Sequence, residues 1–514
     1  MNYTRLFLAT LPETVLELAA LLVLVVDLAF LRKAALKTRV ASAVALGVTG
    51  CIVAYWAMYW TRLRQVWGFG LENGHDALLA NVFYAGPAQS GILVLTALTL
   101  LLLIGSNFTR HVGEFVAVVL MAATGGLLIA GAQDLLVIFI GLELLSLGLY
   151  ILTAFAKSSG NSAEAALKYY LFGGMSAAFL LFGFSYFYGL TGSTSLQQIQ
   201  RSIAESGPSP LFYVAWILVI AGLGFKVAAV PFHLWAPDTY EGAPAPAAAF
   251  IASVSKVASF ALLISVSMSW ADSANGGYQA WPQMSAILLL VAGASMVVGN
   301  LAALAQVSVR RLLAYSAIAH AGYILLGVAS HYNLAGQESP SDFSSVAQAS
   351  TFLSTNAVLY YILTYGLTTI GAFGVISVVE RATGSDRMDA FLGLHKRNPL
   401  LAAVLLVLFL SLAGIPPLVG FWAKFNLFAA VLGVSAGPVP FALVCLAVAL
   451  SAVSLYYYLQ VLKRAYVMPA IDESPIHAHP VTMAVLLLIA AAVVVLGCFP
   501  ALLSGWIESF YPHM

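Results

Sequence analysis

The sequence predicts an all-α polytopic membrane protein of about fourteen transmembrane helices. Three observations carry this. The chain has 514 residues, 61% of them hydrophobic and only 8% charged, where soluble domains average about 25% charged. Its mean hydropathy is +0.94. Its apolar runs are about 20 residues long, the length an α-helix needs to cross a bilayer, whereas barrel strands would alternate over ~10 residues.

The runs fall near residues 11–31, 40–60, 88–105, 112–130, 134–156, 163–190, 210–232, 245–270, 282–304, 309–330, 352–379, 398–427, 437–463 and 481–503. The first lacks a basic leader region and carries Glu13, Glu17 and Asp27, so it reads as a retained membrane helix and not a secretory signal. Connections are short. The longest lie at 61–87 and 191–209, and the second includes SLQQIQRSIAES, a polar helical patch suited to the membrane interface.

Basic residues give the orientation. Arg32, Lys33, Lys37, Arg39, Arg110, Lys157, Arg310, Arg311, Arg381, Arg387, Lys396, Arg397, Lys463 and Arg464 all follow odd-numbered spans. Only Arg5, Arg62, Arg64 and Arg201 lie opposite. The richer side is expected to be cytoplasmic, with both termini on the outer side. The four remaining cations, Lys168, Lys226, Lys256 and Lys424, lie inside spans. All are lysines, which lose a proton when desolvated, as arginine effectively cannot.

The segment Leu218 to Lys256 concentrates the costly features. It holds Lys226, His233 and Lys256 in or beside apolar sequence interrupted by Pro231 and Pro237. A charge at mid-bilayer costs roughly 2.5–3.5 kcal/mol on insertion scales, and a proline within a helix about 3 kcal/mol more. Both together point to a broken helix lining a polar cavity. A second break, AGIPPLVGF, precedes Lys424. Spans 4–8 and 9–13 thus form two five-helix sets, each with a discontinuous fourth helix (helices 7 and 12). Five is odd, so the sets would be inverted repeats. The expected divisions of this single membrane domain are 1–111 (helices 1–3), 112–270, 282–463 and 481–514.

The candidate site residues are titratable groups near mid-span. Glu143 reads as a field-coupling carboxylate or as a structural partner of a lysine, with Lys168 the expected partner. Lys168 could instead snorkel or pair with Glu164 one turn earlier. Lys226 precedes the first break. His233 follows it, as a proton relay or as a packing residue beside Trp235. Lys256 has Ser253, Ser255 and Ser259 nearby, either holding waters or satisfying one another across helices. His320 would link two half-paths, and Lys424 would end the row. Asp238 and Glu241 could gather protons or cap the next helix.

Other chemistries find little support. No basic-aromatic patch points to nucleic acid, and no GxGxxG or Walker loop to a nucleotide or flavin. Cys51, Cys445 and Cys498 are far apart in apolar runs and read as small buried hydrophobes, not as metal, iron–sulfur or disulfide positions.

GFKVAAVPFHLWAPDTYEGAPAPAAAFIASVSK resembles the signature of the proton-translocating membrane subunits of respiratory complex I and their antiporter relatives. RRLLAYSAIAHAGY and LAGIPPLVGFWAKF resemble their later signatures. The resemblance covers nearly the whole chain. It implies fourteen helices with helices 7 and 12 broken, and a relay in which Glu143, Lys168, Lys226, Lys256 and Lys424 occupy the family positions on helices 5, 6, 7, 8 and 12. His233 and His320 match histidines of the connecting path. Lys424 separates the chain from the family member with a carboxylate there. Its end after the last span separates it from the member with a long lateral helix.

The implied activity is proton translocation within a NADH:quinone oxidoreductase of a bacterial cytoplasmic membrane. No cofactor is expected in this chain. FMN, iron–sulfur clusters and quinone are expected in partner subunits, both membrane and peripheral. A subunit of a cation/proton antiporter would use much the same residues, and a passive membrane-arm scaffold would use none.

Overall fold

A computed structural model describes residues 7–64, 84–106, 108–271, 282–332, 343–434, 437–470 and 472–511. Most of the outer connection expected at 61–87 lies outside these residues. Among the described residues the chain is helical, with two isolated β-bridges and no strand.

The first helices are α1 (Leu11–Val25), which runs into a π-helical turn at Val26–Phe30, α2 (Leu36–Arg64) and α3 (Ala85–Leu102). Next come α4 (Val112–Gly131), α5 (Leu135–Thr153) and α6 (Gly160–Thr191), the short surface helix α7 (Leu196–Ser206), then α8 (Pro210–Val227), α9 (Trp235–Gly242), α10 (Ala245–Ala252) and α11 (Val254–Ala271). They are followed by α12 (Pro282–Leu304), α13 (Val309–Ser330), α14 (Phe343–Thr383), the single turn α15 (Leu394–Arg397), α16 (Pro399–Ala413), α17 (Val419–Val434) and α18 (Pro438–Tyr466). Helices α19 (Pro480–Cys498) and α20 (Ala501–Glu508) close the described chain.

Local chemistry starts these helices where the apolar runs begin. Asp134 caps α5, its Oδ1 accepting from the Leu136 amide at 2.8 Å. Ser159, Ser209, Ser308 and Asn398 cap α6, α8, α13 and α16 in the same way. Proline occupies the first turn of α1, α8, α16, α18 and α19, where its missing amide is no loss. The SLQQIQRSIAES patch forms α7 and buries Leu196, Ile199 and Ile203 along one side.

Among the described residues, twelve helices are long and apolar enough to cross a membrane. Two broken spans were expected from their prolines, and both are broken: α8 ends before Pro231, and α16 ends before Pro416 and Pro417. The expected continuous eighth span is also interrupted, at Ser253, between α10 and α11. No proline signals that break. The Ser253 hydroxyl instead donates back to the Ala249 carbonyl at 2.6 Å, which competes with the helical backbone.

The architecture has a buried centre and an apolar rim. The apolar window of Ala245–Met268 is 100% buried within the chain, and that of Pro438–Tyr466 only 28%. The central helices therefore face protein on all sides, while the rim helices present leucine, valine and aromatic side chains outward. This corrects the reading of all three cysteines as buried: Cys51 is, but Cys445 and Cys498 are exposed. Apolar sequence in a membrane helix covers rim and core positions alike, so hydrophobicity alone does not separate them.

Small residues bring the helices close. A Cβ on Gly299 of α12 would stand 2.5 Å from the Ala319 backbone nitrogen of α13. That backbone contact is the small-residue packing typical of membrane interfaces. Near the junction of α1 and α2, buried Asp27 takes a bidentate pair from Arg39, at 2.7 and 2.5 Å. Gly113 leaves room for it, since a Cβ there would lie 2.5 Å from Asp27 Oδ2.

Asp27→Ala should destabilise the chain by about 3 kcal/mol, because the guanidinium is left without its partner. Thermal unfolding of the detergent-solubilised protein checks this, with a lowered Tm as the expected outcome.

Candidate proton path

Three lysines are buried: Lys226 at 7% exposure, Lys256 at 3% and Lys424 at 6%. Each finds a polar partner that the fold creates. Lys226, in the last turn of α8, donates to Ser146 Oγ of α5 at 2.6 Å. Just beyond it the helix stops at Ala228, which has a left-handed φ of 57°. It is the one non-glycine with positive φ among the described residues. Such a backbone costs about 1–3 kcal/mol and persists only where the surroundings enforce it.

The break frees backbone groups that would otherwise be locked in the helix. Lys256 of α11 donates to the Val227 carbonyl, and the Val230 amide donates to Ser295 Oγ at 2.9 Å. The second break repeats this chemistry. Helix α16 ends at Gly414 with φ 90°, and Lys424 of α17 donates to the Ala413 carbonyl at 2.9 Å and to Ser451 Oγ at 2.7 Å. In each half a lysine is held at the carbonyl end of an interrupted helix, the end that favours a cation.

Aromatic hydroxyls fill the space between. His320 of α13 is buried, and its Nδ1 lies 2.8 Å from the Tyr361 hydroxyl of α14. The Lys424 ammonium sits 5.5 Å from the Tyr323 ring centre. The Tyr323 hydroxyl accepts from Asn300, which in turn accepts from Tyr457 at 3.2 Å. Ser316 pairs with Tyr458 at 2.5 Å. A cavity of about 10 Å³ lies among His320, Tyr361, Tyr365, Thr368, Ser411 and Gly420, room for roughly one water. It places a hydrogen-bonding position between His320 and the second break.

The ion pairs differ from expectation. Lys168 does not pair with Glu143. It forms ion pairs with Glu164 and Asp238, both at 2.8 Å, and its side chain is 42% exposed. Glu143 is half-buried and has no ion-pair partner among the described residues. It shares its side of α5 with exposed Leu136, Ile140 and Leu147. The reason is one of helical face: Lys168 points along α6 toward α9, while Glu143 points to the rim. The Glu164 alternative for Lys168 is the one the structure adopts.

Asp238 and Glu241 do not cap the following helix, whose first residue has Pro244 before it and no side-chain cap. They bind Arg311 instead, at 2.7 and 2.8 Å. Arg310 donates to the Glu241 and Ala243 carbonyls and pairs with Glu380. His233 stands half-buried at the first break, with its Nδ1 unpaired. Of the three serines near Lys256, Ser253 is committed to its own helix and Ser259 Oγ is buried without a partner.

The structure thus brings Lys226 to Ser146 at the first break and sets His320, Tyr361, Tyr323, Lys424 and Ser451 around the second, while Glu143 stays on the rim side of α5. Lys256 lies at the break between α8 and α9. Sequence reasoning missed Ser146, Ser451, Asn300 and the tyrosines. Buried tyrosine and serine are common in any membrane helix, so nothing marks them until the helices are packed. Asn300, a lone amide deep in an apolar run, was the one visible signal.

A helical membrane core with lysines at its broken helices defines an antiporter-like, ion-translocating membrane subunit. Residues 132–338 and 343–451 match the family described as NADH:quinone oxidoreductase/Mrp antiporter, transmembrane, and the chain belongs to that family. NADH-quinone oxidoreductase subunit N 2 of Acidobacterium capsulatum is 46% identical over 523 residues, spanning 99% of each protein. Subunit N 1 of Roseiflexus castenholzii is 42% identical over 430 residues, covering 80% of this chain and 76% of its own. A chain of respiratory complex I from Thermus thermophilus with bound aureothin aligns with a TM-score of 0.75 at 33% identity, over 96% of this chain and 98% of that one.

Two outcomes follow from the geometry. Tyr361→Phe should slow proton translocation about tenfold at unchanged assembly, the kinetic equivalent of one hydrogen bond of about 1.4 kcal/mol. Proton uptake by membrane vesicles checks it. The second concerns Asp238. Partial burial raises its proton affinity, but hydrogen bonds from Lys168 and Arg311 outweigh that and hold the carboxyl below the usual range. Its stabilising contribution is therefore fully present above the ordinary value near 3.9 and is lost only as pH falls through the lower folded value. Between pH 5 and 8, about the physiological window, thermal stability should be the same in Asp238→Asn as in the parent apart from a constant offset.

Proposed function

We propose that the chain is the N-type proton-translocating subunit of a bacterial NADH:quinone oxidoreductase. The observation that carries this is the row of buried lysines at helix breaks, inside a chain alike over its full length to proteins named as that subunit. The protons move along titratable groups. Lys226 takes a proton under the influence of Glu143, and Lys256 and His320 pass it toward Lys424 and the outer side. Lys168 and His233 stand on the cytoplasmic approach.

The chain cannot pump unaided. Moving one charge against 100 mV costs about 2.3 kcal/mol, and the energy comes from electron transfer elsewhere. Partner subunits, membrane and peripheral, carry FMN, the iron–sulfur clusters and the quinone site.

We read the membrane segments as fourteen. Helix α1 with its π turn counts as the first, and α16 with α17 as the twelfth. Residues 112–270 and 282–463 form the two inverted repeats, flanked by 1–111 and 481–514. The lysine-on-carbonyl arrangement at each break supports that pairing. Both termini face the outer side, because the basic residues cluster opposite.

A second reading, a subunit of a cation/proton antiporter, is favoured by the family description, which covers both kinds of complex. A passive scaffold is the third. Affinity purification of the tagged chain from its native membrane separates the first two. Bound flavin and iron with NADH:quinone activity are the expected outcome; hydrophobic partners alone would favour the antiporter. Lys226→Ala and Glu143→Ala should each abolish proton translocation by the assembled complex. Full pumping in both would leave the scaffold.

A further inference from the structure

Helices α10 and α11 run beside α13 and meet it at both ends. At one end Arg310 donates to the Ala243 carbonyl, just before α10, at 2.8 Å. At the other, Ser267 Oγ of α11 lies 2.9 Å from Nδ1 of His331, the C-cap of α13. His331 Nε2 lies 3.3 Å from Thr355 Oγ1 of α14. The residue is 1% exposed, so a titratable ring is enclosed with a hydroxyl against each nitrogen. No step of the relay described so far uses it.

Helical register sets this cluster in line with the relay. Ser267 follows Lys256 by eleven residues on α11, and His331 follows His320 by eleven on α13. Eleven residues make about three turns of α-helix and rise about 16 Å. Ser267 and His331 therefore stand on the same faces as Lys256 and His320, toward the end of α13 opposite Arg311. Ser330, the residue before His331, pairs with Ser354 of α14 at 2.8 Å. Next to Thr355, Asn356 donates to Oε1 of exposed Glu508 at 3.0 Å, so polar groups continue from the cluster to the surface. Toward the relay they thin out. Leu263 and Ile324, both buried, occupy the same two faces in between. Ser259 Oγ, one turn beyond Lys256, is buried without a partner.

We propose that His331 is an outlet of the relay. A proton from the level of Lys256 and His320 crosses the Leu263–Ile324 layer on transient water, passes through Ser267 to His331 and leaves by Thr355, without reaching Lys424. The chemistry balances. A hydroxyl donates and accepts at once, and the proton that enters the imidazole at Nδ1 is matched by one released from Nε2. The apolar layer holds the relay and the cluster apart in this state, which prevents protons from running back between strokes. The proposal rests on the relay reading above.

The test uses the full complex in inverted membrane vesicles, with protons taken up per NADH oxidised as the readout and native electrophoresis as the assembly control. His331→Gln keeps groups that bond to hydroxyls but carries no titratable nitrogen. It should lower the ratio as far as Lys256→Ala does. Ser267→Ala should lower it likewise, and Ser267→Thr should restore it. Leu263→Ser admits water to the apolar layer, so the proton gradient should decay faster once NADH is exhausted. Adding His331→Gln to that variant should abolish the leak, a result that lost packing would not give. A parental ratio in His331→Gln or, where that variant does not assemble, in Ser267→Ala overturns the proposal. So does failure of Ser267→Thr to rescue, or a Leu263→Ser leak that is absent or persists with His331→Gln. Lys256→Ala is the reference. If it pumps normally the relay itself fails; if it stops pumping while His331→Gln pumps, only the outlet fails.

Discussion

An ammonium group buried among apolar helices needs an acceptor, and a carbonyl at the end of an interrupted helix needs a donor. This chain joins the two needs twice. Lys256 binds the carbonyl that the break in α8 leaves at Val227, and Lys424 binds the one that the break in α16 leaves at Ala413. Either group alone would be costly to bury. Together they hold a titratable charge where an unbroken helix would offer no partner. Because the acceptor is a neutral carbonyl and not a carboxylate, the lysine is supported without being fixed as a permanent ion pair.

The two halves use this device differently. In the first, the lysine comes from a neighbouring helix, so α11 is tied to α8 across the break. In the second, it comes from the helix that follows the break, and Ser451 of α18 supplies the cross-helix contact. Around Lys226 the supporting group is a serine. Around Lys424 they are a backbone carbonyl, a serine and the ring of Tyr323, which an asparagine holds in place.

Among the described residues, ion pairs lie toward helix ends and not at the helix breaks. Lys168, Asp238, Arg311, Glu241, Arg310 and Glu380 join α6, α9, α13 and α14 there. Partial hydration at such a position lowers the desolvation cost that would make the same network prohibitive at mid-membrane. The network ties α6 and α9 to α13 and α14.

Much of this was legible in the sequence because membrane crossing imposes a length and an apolar composition. The helical fold, the two proline breaks and the burial of Lys226, Lys256 and Lys424 followed from that constraint. The interruption at Ser253 was not legible, since a serine that bends a helix reads the same as one that does not. Nor were the tyrosines around His320, which are ordinary residues of apolar runs. Lys168 marks the limit most clearly. Its place on the sixth span was evident, yet its choice of Asp238 and Glu164 over Glu143 was not. Spacing along the chain determines which helix a charge sits on; only the packed arrangement decides which face it presents and which opposite charge comes within about 3 Å, the range at which hydrogen-bonded ion pairs form.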